Sequence, residues 1–131
     1  MLNFTVGPVQ SDERICAIGA QQVPYFRTPE FSQTMLENER LFLKFAAAPK
    51  GSRAVFLTGS GTAGMEAAVI NTLDASDKAL VVDGGSFGHR FVKQLEVHGI
   101  AHDSIVLEAG SPLAAEDLEP FAGRGYTALL I

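Results

Sequence analysis

Two periods of hydrophobic residues alternate along this chain. From Thr28 onward the period is helical. Phe31, Met35, Phe42 and Phe45 recur on one side, Thr28 is a capping residue, Pro29 suits the first helical position and Glu30 the positive end of the dipole. Pro49 and Gly51 close that run. Short apolar runs then alternate with helical stripes. Strands are predicted at Arg53–Thr58, Lys78–Asp83, Ser104–Leu107 and 126–131. Between them, Met65, Ala68, Val69 and Leu73 mark one helix, Phe91, Val92 and Leu95 mark a second over 87–98, and a weak third covers 114–122. Strands separated by helices make βαβ units and a largely parallel sheet. Residues 1–27 lack a sustained period, so they are expected to be extended, with a short helix over 11–20.

The 131 residues suffice for one core, and 47% hydrophobic against 19% charged residues exclude a disordered polar chain. Ten Lys and Arg against fifteen Asp and Glu leave a net charge of −5, which argues against nucleic acid and against anionic membrane surfaces as partners. Cys16 is the one cysteine, so an intrachain disulfide framework and Cys-rich zinc sites are excluded. It is read as a small buried residue, with no His or helix start to activate it. The opening Met1-Leu2-Asn3-Phe4-Thr5 has no basic region followed by an apolar run, so no signal peptide is expected, and the sequence contains no run of about 18 apolar residues. The expectation is a cytoplasmic α/β protein. Its last apolar run, Tyr126 to Ile131, stops where a ligand loop should follow a strand, so the chain is read as the N-terminal piece of a longer protein.

The richest chemistry lies at Thr58-Gly59-Ser60-Gly61-Thr62-Ala63-Gly64, between a predicted strand and a predicted helix. Glycines let a ligand approach the backbone, free N–H groups at a helix start attract an anion, and the Ser60 and Thr62 hydroxyls add donors. The same turn matches the dinucleotide fingerprint at Gly59, Gly61 and Gly64, with Asp83 nineteen residues later at a strand end. Against a dinucleotide site stand the fifty-odd residues before the turn, since that fingerprint opens on a domain's first strand. Asp83 reads equally as a helix-capping or turn aspartate. Gly84-Gly85-Ser86-Phe87-Gly88-His89-Arg90 follows, with three glycines around one aromatic. Phe87 there is either a ring exposed to a ligand or the first core residue of a helix.

Together these segments resemble the class V aminotransferases, pyridoxal-phosphate enzymes of fold type I, and within them the alanine–glyoxylate, serine–pyruvate and 2-aminoethylphosphonate–pyruvate aminotransferase group. The resemblance runs through Phe4-Thr5-Val6-Gly7-Pro8-Val9, Phe26-Arg27-Thr28-Pro29-Glu30-Phe31, Gly59-Ser60-Gly61-Thr62 with Glu66-Ala67-Ala68, and Asp83 to Arg90, four motifs in order over nearly the whole chain. It implies the first part of a three-layer αβα large domain with a mainly parallel sheet, residues 28–131, preceded by a 1–27 segment at the active-site mouth or a dimer contact. It implies pyridoxal 5'-phosphate as cofactor, small amino and keto substrates, and a homodimer. Ser60, Gly61, Thr62 and Ala63 match the cofactor-phosphate loop, and Phe87 the ring-stacking aromatic. Gly7, Pro8 and Arg27 match segments near the substrate side. Phe26 departs from the family's usual His.

Such enzymes hold the cofactor as a Schiff base with a lysine. Lys44, Lys50, Lys78 and Lys93 all lie on predicted helices, a terminal turn or a strand start, so that lysine is expected beyond Ile131 and none is assigned here. The piece alone is expected to be inactive. His89, His98 and His102 lack partners at ligand spacing, and Gly99 interrupts the helix between the last two, so no metal is expected. Phe31, Met35, Phe42 and Phe45 are read as core or subunit-interface packing. Two other readings stay open: a nicotinamide-dinucleotide oxidoreductase domain, and a truncated domain that binds nothing.

Overall fold

The structure, a computed structural model, describes residues 2–5 and 7–131. Val6, part of the first matched motif, lies outside the described residues, as does Met1. The chain divides into two compact units, with the boundary between Phe56 and Leu57.

The first unit holds two helices. Helix α1, Glu13–Gly19, is capped by Asp12, whose side chain accepts from the Arg14 N–H. Helix α2, Pro29–Phe45, begins as the sequence predicts: the Thr28 hydroxyl accepts from the Phe31 N–H at 3.1 Å, with Pro29 in the first turn. Neither helix has a buried residue, and the stripe on α2 is not a core here: Phe42 is 52% and Phe45 91% exposed. The side of α2 that is partly covered is Phe31, Met35, Glu39 and Leu43, a strict four-residue repeat. Glu39 anchors the chain after the helix, accepting from the Arg53 guanidinium at 2.6 Å and the Ala54 N–H at 3.1 Å. Cys16 is exposed rather than buried, because α1 has no buried face.

The expected strand at Arg53–Thr58 does not form. Val55 is 80% and Leu57 63% exposed. A strand exists only where its N–H and C=O groups find a neighbouring ladder, and no strand pairing among the described residues includes this run. Apolar character alone did not decide the matter.

The second unit is a small parallel α/β arrangement. Helix α3 spans Gly61–Thr72, strand β1 Lys78–Asp83, helix α4 Ser86–His98, strand β2 Ala101–Val106, helix α5 Ala115–Leu118 with a 3₁₀ turn at Glu119–Phe121, and strand β3 Ala128–Leu130. The strand order is β2-β1-β3, with both pairings parallel. Strand β1 is central, and its Ala79-Leu80-Val81-Val82 run is buried throughout, as a strand covered on both faces requires. Val69 of α3, Ala79 and Val81 of β1, Leu95 of α4 and Ile100 make the core, flanked by Leu73, Phe91, Val92, Ala128 and Leu130. Gly99 ends α4 in the left-handed conformation, φ 67°, which turns the chain directly into β2.

Strand β2 starts three residues before the predicted Ser104. Pairing with β1 takes in His102 and Asp103, and an edge strand tolerates such polar residues. Asp103 carries a small polar cluster. Lys78 Nζ lies 2.8 Å from its carboxylate, the Tyr126 hydroxyl donates to the same oxygen, and the Lys78 ammonium sits 4.6 Å from the Tyr126 ring centre. Lys78 first, then Tyr126, holds the Asp103 carboxyl below its usual range. A carboxylate depressed in the folded state stabilises above its unfolded pKa and loses that contribution as pH falls through the folded value. Asp103→Asn is therefore expected to unfold at lower denaturant than the native protein at neutral pH, with the two converging under acid. A gap that persists under acid would assign the effect to packing instead.

Candidate functional site

The glycine-rich turn is built by the start of α3. Ser60 caps that helix, its hydroxyl accepting from the Ala63 N–H at 3.2 Å, and the Gly64 N–H donates to the Ser60 carbonyl at 3.1 Å. The N–H groups of Gly61 and Thr62 occupy the first two helical positions, which have no acceptor within a helix. A Cβ built at Gly61 would meet nothing within 4 Å, so the backbone is open to an approaching ligand. The turn follows a segment without regular secondary structure rather than the predicted strand.

The second loop leads from β1 into α4. Phe87 is 55% exposed and absent from the core cluster, so the reading that made it a core residue does not hold for this fold. The glycines around it differ in purpose. Gly88 is buried, and a Cβ there would fall on the Val82 carbonyl and 2.9 Å from the Asp83 Cα. It is the close contact between α4 and β1, not a device for exposing Phe87.

One residue links the two loops, and spacing gave it no role. Arg90 Nη1 donates to the Thr62 hydroxyl oxygen at 2.7 Å, while its guanidinium carbon lies 5.0 Å from the centre of the Phe87 ring. One turn further along α4, the Gln94 side-chain amide donates to the Thr62 carbonyl at 3.1 Å, leaving its own Oε1 buried without a partner among the described residues. Arg90 stood in the quoted motif. Its contact with Thr62 was invisible because it spans twenty-eight positions and depends on how α3 and α4 pack.

Asp83 does not cap α4, whose cap is Gly85 without a side-chain bond. It pairs with His89 Nδ1 at 3.0 Å. The dinucleotide reading needs a strand before Gly59 and an acidic residue open to a ribose; the strand is missing, and Asp83 is engaged. His98 pairs with Glu66 at 2.9 Å across α3 and α4, and His102 Nδ1 faces the Ile100 carbonyl. Among the described residues, no group of three His, Cys, Asp or Glu is placed to hold a metal ion. No helix among them is long and apolar enough to cross a membrane.

Of the lysines, Lys93 pairs with Glu96 at 2.8 Å, and Lys78 is held above its usual range first by Asp103. A nucleophilic amine needs the opposite displacement. Gly7, Pro8 and Arg27 lie in the first unit. The first two are exposed and joined by a cis peptide, and the Arg27 guanidinium stands 5.0 Å from the Phe26 ring centre.

In sequence and in fold the chain is similar to known proteins. Over 118 residues, 90% of the chain, it is 30% identical to an uncharacterized aminotransferase of Helicobacter pylori, covering 31% of that protein. It is 39% identical over 59 residues to a 2-aminoethylphosphonate–pyruvate transaminase of Salmonella paratyphi B, covering 45% of this chain and 16% of the relative. Both of these relatives are named as aminotransferases. A relative of different name, a soluble hydrogenase 42 kDa subunit of Anabaena cylindrica, is 35% identical over the same share of the chain, 90%, and is covered to 30%. No family model matches. In fold, the chain is similar to a ureidoglycine–glyoxylate aminotransferase from Bacillus subtilis, with TM-score 0.75 and 23% identity over 90% of this chain and 30% of that one. An alanine–glyoxylate aminotransferase from Nostoc gives TM-score 0.73 and 24% identity over 91% and 31%. The chain thus spans about a third of the length of the Helicobacter pylori, Bacillus subtilis and Nostoc proteins.

Proposed function

We propose that this chain is the N-terminal portion of a class V, fold type I, pyridoxal-phosphate-dependent aminotransferase. In full length it moves an amino group from a small amino acid or amine to a 2-oxo acid such as pyruvate or glyoxylate. One observation carries the reading: Arg90 holds the anion-attracting start of α3 beside the exposed ring of Phe87. The names of the relatives and fold neighbours, which pair amines with pyruvate or glyoxylate, supply the substrate class.

The donor set suits a phosphate ester on a flat ring. The Gly61 and Thr62 N–H groups and the Thr62 hydroxyl are all donors, the Arg90 guanidinium holds that hydroxyl from α4, and the helix start adds partial positive charge. Phe87 offers an apolar face, with the guanidinium near the ring and 55% of the residue still open. When bound, the cofactor supplies the electron sink for amino transfer. The residues of this chain bind and orient it. Ser60, Gly61, Thr62 and Ala63 form the phosphate cradle, and Phe87 fixes the ring plane.

Residues 28–131 are then the first part of the cofactor-binding domain. Residues 1–27 serve the active-site mouth or a dimer contact, with Gly7, Pro8 and Arg27 on the substrate side. The catalytic lysine comes from beyond Ile131, and the enzyme works as a cytoplasmic homodimer.

The test uses the purified full-length protein. Added pyridoxal phosphate is expected to give a protein-bound absorption band, which an amino donor bleaches and pyruvate or glyoxylate restores. A protein that takes up no pyridoxal phosphate refutes the reading. Phe87→Ala is expected to weaken cofactor affinity by about 0.5–1.5 kcal/mol beyond the loss of buried area. Its melting temperature without cofactor should scarcely move, because the ring is largely exposed, and Phe87→Tyr should keep activity. A large loss of stability with normal cofactor affinity would remove Phe87 from the site.

A further inference from the structure

We infer that Arg90 is a positioning residue that works through Thr62, by turning the Thr62 hydroxyl into a committed donor toward the bound phosphate. The inference rests on the cofactor reading above and adds a residue to it. Arg90 has no acceptor lone pairs, so in its 2.7 Å contact the Thr62 oxygen must accept. The hydroxyl proton is then left to point elsewhere. A hydroxyl that accepts from a cation is also a stronger donor, since hydrogen bonds in a chain polarise one another. The Thr62 carbonyl is pinned separately by Gln94 at 3.1 Å. Both ends of the residue are thereby fixed from α4, and its N–H stays free at the helix start.

The position of Arg90 is itself determined. It lies one turn after Phe87 on α4, and its guanidinium rests 5.0 Å from that ring's centre, so the planar cation is held between ring and hydroxyl. A lysine would keep the charge but lose the fork and the flat face. Arg90 faces Thr62 from α3 and Phe87 from α4, and no carboxylate pairs with it among the described residues.

The experiment measures inorganic phosphate affinity of the cofactor-free full-length protein, by competition with pyridoxal phosphate, together with hydrogen exchange of the peptide over 59–66. Arg90→Gln is expected to weaken phosphate about tenfold or more, in the range for a bond to a charged group. It should also speed exchange across the α3 start, and Arg90→Lys should recover only part of both. In a Thr62→Val background, Arg90→Gln should weaken phosphate little further, because its effect passes through the hydroxyl. Full additivity of the two substitutions would mean a direct contact between Arg90 and phosphate and would overturn the inference. Unchanged phosphate affinity in Arg90→Gln with a clear loss in Thr62→Val would overturn it while leaving the phosphate cradle standing. Failure of the native protein to bind either ligand would instead refute the cofactor reading itself.

Discussion

Gly88→Ala is expected to destabilise the protein by about 3 kcal/mol, at the upper end of what overpacking costs. A Cβ at this position would sit on the Val82 carbonyl and 2.9 Å from the Asp83 Cα. Both belong to the backbone of the central strand, which cannot rotate aside as a side chain would. The helix has to lift. Leu95, fully buried on α4, would be drawn from the core, and Phe87 and Arg90 would move with the helix. Helix propensity alone favours alanine over glycine by about 1 kcal/mol, so it predicts the opposite sign. Gly64 in α3 provides the control, since a Cβ there meets nothing within 4 Å. Gly64→Ala is expected to be neutral or to stabilise by up to about 1 kcal/mol. The denaturant midpoint of Gly88→Ala should therefore fall well below the native value, and that of Gly64→Ala at or above it. A Gly88→Ala protein as stable as the native one would show that α4 does not lie on β1 in this way.

Gly88 also marks how far the sequence could be read. Elements whose signals are local were legible. Thr28-Pro29-Glu30 opens α2 and Gly99 closes α4 through bonds within a few residues, and the buried run of β1 is apolar without a break. The turn at Ser60–Ala63 was legible for the same reason, although the Ser60 hydroxyl, read as a donor to an anion, accepts from the Ala63 N–H as the cap of α3. Signals that need a partner were not. Val55, Phe56 and Leu57 have the composition of a strand, yet a strand is a property of a pair. Phe42 and Phe45 have the period of a core stripe, yet burial requires something packed against them. The role of Arg90 depends on the packing of two helices. Three glycines around Phe87 suggested a single purpose, whereas Gly88 is needed for contact with the strand and Phe87 is exposed by its place in the first turn of α4.

Thr62→Val in the full-length protein is expected to weaken binding of pyridoxal phosphate by about 1.5–3 kcal/mol, roughly 10- to 150-fold, with little change in melting temperature without cofactor. Valine matches threonine in shape and is close to it in helix propensity, so the substitution removes a hydroxyl and little else. That hydroxyl is exposed to an approaching ligand on one side and accepts from Arg90 at 2.7 Å on the other. The loss should therefore be specific. Inorganic phosphate should weaken in parallel with the cofactor, while pyridoxal without its phosphate should bind the variant and the native protein alike. Ser60→Ala makes a useful contrast. Its hydroxyl caps α3 through the Ala63 N–H at 3.2 Å. Removing it should lower stability by about 1 kcal/mol before any ligand is added. Thr62→Val should leave that quantity nearly untouched. A variant that lost affinity for pyridoxal and its phosphate equally would place Thr62 beside the ring instead of the phosphate, and unchanged affinity for both would remove the start of α3 from the cofactor site.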